Sequence, residues 1–308
     1  MKKAFLIFVL IFLTAVLWAE TGITTSHELS INATTNIDVM LGFTTRFRFP
    51  FMQGGSPLTE GNNLTLALGA DLTPINFIGR TELIFTPIAF LELNAGGNIG
   101  SGWNINLFDE DIYGIGFNWP LVDGGREHRG EAFDGIHWKG FIGGALQADL
   151  AAFFPGAWNH VIFRTYHEMS YRAYSRADAF TESWYYLSDA GENRNSFYYY
   201  GNFILGYQMP IFLSMVALVA EGERDLYLDG TPTPATWGHD KIYWTFSSIF
   251  NFTITRQIDI GIAVQFHTQR NYLQSNWDDL FYTGRILDSD KPVRLEFRRV
   301  AVVFTYRF

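Results

Sequence analysis

Apolar and polar residues alternate with a period of two along most of the chain. In the segment 37–49 the odd positions are mainly apolar, and the even positions include Asp38, Arg46 and Arg48. Similar alternation recurs in segments 63–73, 76–85, 88–99, 138–154, 160–174, 196–209, 241–255 and 258–269, and more weakly in 104–117 and 211–223. Because successive side chains of a strand point to opposite faces, this period predicts strands with one apolar face each.

The C-terminal segment, RRVAVVFTYRF, shows the same pattern. From Val300 onward one parity is wholly apolar or aromatic: Val300, Val302, Phe304, Tyr306 and Phe308. With this segment the pattern predicts twelve strands. Ten or fourteen are also open, because residues 20–35 could add a strand and residues 101–137 are poorly patterned.

The connections between these strands alternate in length. Short connections fall at 73–74, 100–102, 155–159, 209–210 and 256–257, and long ones at 50–62, 118–136, 175–195, 224–240 and 273–291. Only the turn at 86–87 breaks the rule. Tight periplasmic turns that alternate with long outer loops are typical of outer-membrane barrels. The predicted fold is therefore all-β, a transmembrane antiparallel up-and-down β-barrel of about twelve strands with both termini on the periplasmic side.

The first residues have the features of a secretory signal peptide. Lys2 and Lys3 precede an apolar run, and Ala19 offers a small residue at a cleavage point. We therefore assign 1–19 to a signal peptide, 20–35 to a periplasmic lead or an extra strand, and 36–308 to the barrel.

Composition narrows the function further. The chain has 29 Phe, 15 Tyr and 9 Trp, only 17% charged residues, and no Cys. Absence of Cys excludes disulfides, thiolate metal sites and cysteine nucleophiles. Without Lys2 and Lys3, 20 basic side chains oppose 31 acidic ones, which argues against nucleic acid as a partner. We expect no cofactor and no metal site.

The last residues resemble the C-terminal assembly signal of bacterial outer-membrane β-barrel proteins. That signal ends in Phe and has apolar residues at alternate positions before it, as do Val300, Val302, Phe304, Tyr306 and Phe308. The resemblance implies an outer-membrane location, contact with outer-membrane lipid, and recognition by the barrel-assembly machinery. It covers about the last nine residues and implies no activity.

The opposite parity of each strand faces the lumen, where basic and acidic residues are nearly balanced. The candidate lumen or channel residues are Arg46, Arg48, Arg80, Glu82, Glu92, Arg164, Glu168, Arg172, Tyr198, Tyr200, His267 and Arg299. Buried charges have to pair or meet water, so these residues either line a narrow aqueous passage or cross-link a plugged interior. Twelve strands lie between the filled eight-stranded and the open sixteen-stranded barrel, so size does not decide.

Three functions stay open. A porin-like passive channel for small solutes fits the mixed-charge lumen. A closed structural or adhesin barrel would use its long acidic loops instead. A lipid-modifying enzyme would need a nucleophile beside His167, which has the lipid-facing parity near Leu146 or Ala148, or beside His267, which points inward near Thr245 and Ser247. We assign no catalytic residue, and the oligomeric state is unknown.

Overall fold

The computed structural model describes residues 22–36, 38–107, 110–120, 126–129, 132–177, 184–186, 193–226, 237–276 and 285–308. Twelve of its strands form one closed antiparallel barrel. Their bounds are β1 Thr24–Thr34, β2 Val39–Pro50, β3 Asn63–Leu72, β4 Asn76–Ile88, β5 Leu91–Gly102, β10 His137–Asp149, β11 Val161–Tyr174, β13 Ser196–Gln208, β14 Leu213–Leu226, β15 Tyr243–Thr253, β16 Ile258–Arg270 and β17 Val293–Arg307. The predicted signal peptide of residues 1–19 lies outside the described residues.

Each barrel strand pairs with the barrel strands before and after it in the chain, and β17 pairs with β1. This order confirms the predicted up-and-down barrel of about twelve strands. Five short strands lie outside the barrel in the longer connections: β6 Asn104–Leu107, β7 Glu110–Tyr113, β8 Ile115–Pro120, β9 Arg126–Arg129 and β12 Trp184–Tyr186. No helix in the described part of the chain is long and apolar enough to cross a membrane.

The membership of the twelve differs from the prediction at two places. Residues 24–34, for which a lead and an extra strand were both open, form β1. Residues 104–117, predicted as a weak barrel strand, instead form β6, β7 and the start of β8 outside the barrel. The barrel gains the strand 24–34 and loses the predicted strand 104–117. The number of barrel strands is therefore twelve as predicted, although the assignment of 104–117 was wrong.

This exchange changes which end of the barrel carries each early connection. Because neighbouring strands are antiparallel, connections alternate between the rim that holds both termini, here the terminal rim, and the opposite loop rim. Connections 51–62 and 89–90 therefore lie on the terminal rim, whereas 35–38, 73–75 and 103–136 lie on the loop rim. The predicted placement of 50–62 on the rim opposite the termini and of 73–74 on the rim of the termini was wrong, because the twelve predicted strands did not include 24–34.

The barrel closes through the pairing of β1 with β17, which runs from Glu28 opposite Arg307 to Thr34 opposite Ala301. The ladder extends to the last residue: the backbone N–H of His27 donates to the Phe308 carbonyl at 2.9 Å, and the N–H of Phe308 donates back at 3.0 Å. Phe308 is therefore part of the closing seam.

The two faces of the wall follow the sequence alternation. Large apolar side chains on the outer face are exposed, with Ile142 at 66% and Leu218 at 59%, while charged and hydroxyl side chains of the other parity face the lumen. Such a wall would be unstable in water, because large continuous apolar surfaces are rare on soluble monomers. An outward apolar band around a polar interior is typical of transmembrane barrels.

A β-bulge interrupts the alternation in β17. Gln265 of β16 lies opposite Arg299, but the next residue, Phe266, lies opposite Phe297, so Arg298 is left over. An extra residue of this kind re-aims a side chain. The Arg298 guanidinium donates to the Thr245 hydroxyl inside the barrel at 3.0 Å, although strict alternation had placed Arg298 on the apolar face.

Two connections fold over part of the loop rim. Strand β12 pairs with β8, and β8 pairs with β9, which forms a small sheet outside the barrel. Below it lies a buried cluster, here called the cap, made of Ile78, Ile115, Tyr174, Trp184 and Tyr186. Ile78 belongs to β4 and Tyr174 to β11, each near the loop rim. The cap therefore covers the loop-rim end of the lumen on the side of β4 and β11.

Candidate functional site

Strands β4, β5, β10 and β11 carry a continuous set of hydrogen-bonded side chains on the lumen wall, here called the polar network. Asn94 donates to Glu82 at 2.6 Å and to the Tyr166 hydroxyl at 3.1 Å. Tyr166 in turn donates to Glu168 at 2.9 Å, and Lys139 lies 2.5 Å from the other Glu168 oxygen. The two carboxylates are therefore held by donors from neighbouring strands.

Other lumen charges of this side are paired as well. Arg164 lies 2.9 Å from Glu92, and Arg80 lies 2.6 Å from Asp71 and also donates to Thr44. The predicted lumen residues Arg80, Glu82, Glu92, Arg164 and Glu168 thus all face inward and all have partners on the wall. This side of the barrel is cross-linked along its surface.

Arg46 and Arg48 lie nearer the terminal rim. Arg46 is 3.7 Å from Glu28, with 42% of its side chain exposed, and Arg307 bridges Glu28 and Asp259. Arg48 donates to the Gly61 carbonyl at 3.1 Å. These charges form a ring segment at the terminal rim and are separate from the larger cavity of the lumen.

That cavity, with a volume of about 970 Å³, occupies the lumen beside β11 and β13–β17. Five of the predicted residues line it: Arg172, Tyr198, Tyr200, His267 and Arg299. The other seven predicted lumen residues do not. The cavity wall is mainly polar, with hydroxyl, amide, carboxylate and guanidinium groups.

The carboxylates of the cavity come chiefly from β14. Glu223 lies 4.0 Å from Arg172, Asp225 lies 3.4 Å from Arg270, and Glu221 accepts a 2.5 Å hydrogen bond from Tyr200. On the opposite side, Arg299 lies 3.3 Å from Asp38 and donates to Gln265 at 2.8 Å. Acidic groups therefore line β14 and basic groups line β17.

Several charged side chains of the cavity were not among the predicted lumen residues. Glu221, Glu223 and Asp225 share one parity in the segment MVALVAEGERDL, whose small and charged positions alternate with larger apolar ones. The signal was present but weak, because Ala220 and Gly222 occupy outward positions. Arg298 could not be found from alternation, since the bulge reverses its direction.

His267 and His167, the two histidines considered for an enzyme, each contact neighbouring polar side chains. His267 lies opposite Thr245, as predicted, and contacts Gln269 at 2.8 Å. His167 faces outward but lies opposite Gly144 rather than Leu146 or Ala148, so the predicted register was wrong. Its ring nitrogens lie 2.9 Å from the Thr165 hydroxyl and 2.7 Å from that of Tyr199, which keeps a lipid-facing imidazole hydrogen-bonded.

Two titratable groups of the loops have shifted pKa values. Burial lowers the pKa of His239, whose ring packs at a tilt against Trp237 with 4.7 Å between ring centroids. Burial also raises the pKa of the Tyr186 phenol in the cap. In each case burial favours the neutral form of the group. Among the described residues, no cluster of His, Asp or Glu side chains could hold a metal ion.

The fold and lumen define a closed transmembrane barrel with a charged interior. No protein-family model and no curated protein matches the chain. Among solved structures it is similar to the outer-membrane expressed OmpT of Vibrio cholerae, at 6% identity and a TM-score of 0.38 over 93% of this chain and 97% of that one. It is also similar to CdiB from Acinetobacter baumannii, at 8% identity and a TM-score of 0.36 over 92% of this chain and 60% of that one.

An anion-selective porin from Comamonas acidovorans is similar at 9% identity and a TM-score of 0.30, over 94% of this chain and all of that one.

Proposed function

We propose that this chain is an outer-membrane barrel that conducts small hydrated solutes passively through its lumen, with both termini in the periplasm. The observation that carries the proposal is the polar cavity of about 970 Å³ beside β11 and β13–β17. A cavity lined by guanidinium, carboxylate and hydroxyl groups is favourable for water and ions. The exposed apolar outer face supports the membrane location.

The directions of the ion pairs support a passage as well. Arg164 with Glu92, Arg172 with Glu223, and Arg270 with Asp225 each join strands two positions apart around the barrel. Pairs of this kind run along the wall rather than across the lumen. A lumen filled by side chains would instead need contacts that cross it.

A closed barrel with a structural or adhesive role is the second candidate. The cap favours it, because Trp184 and Ile115 are almost fully buried over one side of the loop rim. The acidic stretch at 109–111, which this role would use, has no described side chains. The cap covers the side with the polar network, whereas the cavity lies on the other side.

The test is single-channel conductance of the refolded mature protein in a planar bilayer. We expect discrete current steps, and a shift of ion selectivity toward cations in Arg299→Gln because a guanidinium of the cavity is lost. Arg224→Gln is the matched control, because it removes the same charge from the outward face of the wall. Arg224 of β14 lies there opposite Tyr199 of β13. A folded barrel that stays silent in every preparation would contradict the channel and favour the closed barrel.

We also infer that Val300, Val302, Phe304, Tyr306 and Phe308 act as the signal for the barrel-assembly machinery. Their shared outward parity and the place of Phe308 in the closing seam support this inference. In Phe308→Ala we expect less barrel in the outer membrane of expressing cells, while the purified variant still refolds in detergent. Equal membrane levels of variant and parent would contradict the inference.

A further inference from the structure

Within the cavity, the geometry points to a binding subsite for small anions that carry a carboxylate or phosphate group, centred on Arg298 and Arg299. This inference rests on the proposed function, because a solute has to enter the lumen to reach these side chains. The proposed passage would then bind a specific class of solute, because the cavity holds an anion of this kind at a defined place on its wall.

The bulge in β17 brings two neighbouring arginines to the same face of the wall. Without it, Arg298 and Arg299 would point to opposite faces of the wall, as consecutive strand residues do. The extra residue turns both into the lumen, where Arg298 reaches Thr245 at 3.0 Å and Arg299 reaches Gln265 at 2.8 Å. Two guanidinium groups from adjacent residues therefore line one cavity.

Arg298 and Arg299 differ in their partners. Arg299 has Asp38 at 3.3 Å, but no carboxylate of the described residues lies within ion-pair distance of Arg298. Its hydrogen-bond partner is a neutral hydroxyl. Arg298 is half-buried and lines the cavity, and a guanidinium group carries five N–H donors, so donors beyond the one to Thr245 can take an anion or water.

The described lining of the cavity carries more basic than acidic side chains. Among the residues that the structure describes, six arginines line the cavity, namely Arg172, Arg270, Arg285, Arg294, Arg298 and Arg299, against four carboxylates, Asp38, Glu221, Glu223 and Asp225. Glu223 and Asp225 are near Arg172 and Arg270, and Glu221 is held by Tyr200. Arg294 is paired with Glu296 and Arg299 with Asp38, so among the described residues Arg298 is the β17 arginine of the cavity with no carboxylate within ion-pair distance.

The ligand class follows from the donors. A guanidinium group presents parallel N–H donors that match the two oxygens of a carboxylate or phosphate. Gln265, His267 and Gln269 lie beside it on β16 and also line the cavity. The subsite thus combines charge with several neutral hydrogen-bonding groups, which suits an oxyanion better than a simple halide.

The experiment measures binding without depending on conduction. Inorganic phosphate and citrate are titrated into the refolded full-length barrel in detergent, and heat or tryptophan fluorescence reports binding. In Arg298→Gln we expect both anions to bind about tenfold more weakly, the effect of losing one charged hydrogen-bonding group. Arg298→Lys should recover only part of this loss, because a lysine lacks the planar fork.

Arg294→Gln is the matched control. Arg294 lies on the same strand and lines the same cavity, but it is paired with Glu296 at 2.9 Å. It should weaken anion binding less than Arg298→Gln does. Equal weakening in both variants would overturn the subsite, since binding would then follow net charge alone, and so would a parent protein that binds neither anion.

Failure of the two proposals can be told apart. A barrel that binds phosphate in an Arg298-dependent manner but never conducts would refute the channel and keep the subsite. A barrel that conducts, but whose phosphate binding is unchanged in Arg298→Gln, would keep the channel and refute the subsite.

Discussion

The two sides of the lumen use similar residues in different ways. On the side of β4, β5, β10 and β11, Lys139 and Glu168 are largely buried and held within the polar network. On the side of β13–β17, Glu223 is 62% exposed and 4.0 Å from its partner, and the cavity lies in front of it. Charges of the network side are bonded to one another across strands, whereas charges beside the cavity keep donors and acceptors that face open space.

The largest expected effect concerns the cap, which lies above the polar network. Trp184 is 1% exposed, and its ring nitrogen donates to Asn195 at 3.0 Å. In Trp184→Ala we expect the cap to lose about 3–5 kcal/mol, as for other buried aromatic truncations. Faster amide hydrogen exchange in the described cap segments would report the loss. Trp158→Ala is the control, because Trp158 is 53% exposed at the terminal rim; equal exchange in both variants would argue against a packed cap.

The next effect compares one carboxylate from each side. Glu168→Ala leaves Lys139 without its partner inside the wall, so we expect the free energy of unfolding to fall by about 3 kcal/mol. Glu223→Ala should cost no more than about 1 kcal/mol, since that pair is long and solvent-exposed. Denaturant unfolding in lipid vesicles, followed by tryptophan fluorescence, measures both. Similar losses would remove the distinction between the two sides.

A glycine from each side sharpens the comparison further. A Cβ at Gly143 would lie 2.7 Å from Asn94 Oδ1, 2.7 Å from the Tyr166 hydroxyl and 2.8 Å from the His167 carbonyl. A Cβ at Gly261 would meet its nearest atom, Asn251 Oδ1, only at 3.8 Å. We expect Gly143→Ala to cost about 1–3 kcal/mol and Gly261→Ala to be near neutral in the same unfolding assay. A reversed order would show that the network side tolerates added volume.

The smallest expected effect is at the terminal rim. Arg46 is 42% exposed and 3.7 Å from Glu28, so Arg46→Gln should change the free energy of unfolding by less than about 1 kcal/mol. The change should shrink further at high salt, because exposed charges are screened. A loss that persists in 1 M salt would indicate a buried pair instead.

The sequence alone was sufficient for the barrel and the direction of most side chains. Period-two alternation is a direct consequence of strand geometry in a wall with one apolar face, so the segments around Arg80, Arg164 and Tyr200 were assigned to the correct face. Two segments decided the topology: 24–34, for which a strand was left open, and 104–117, which was wrongly placed in the barrel. In the first, Thr25 and His27 share the outward parity with Leu29 and Ile31, and these polar residues weaken the contrast between the two faces. In the second, alternating residues form strands outside the barrel.

The cavity was harder to predict than the wall. Which charges pair depends on strand register, and Arg172 meets Glu223 only because β11 and β14 flank β13. The bulge at Arg298 depends on how many residues β17 uses against β16, and no local pattern records this number. Sequence therefore shows which groups face inward, while the pairing across strands decides which of them remain accessible.

The closing seam has a consequence for the time course of folding. Glu28 and Arg307, which meet there, are 279 residues apart in the chain, whereas the other barrel strands pair with their neighbours in sequence. Contacts between distant residues form slowly, because a large loop of chain has to be ordered first. Hairpins can thus form early, and β1 and β17 remain two unpaired edges until the end, open to pairing with another chain. The step most exposed to misassembly is the last one, and residues 24–34 and 301–308 control it.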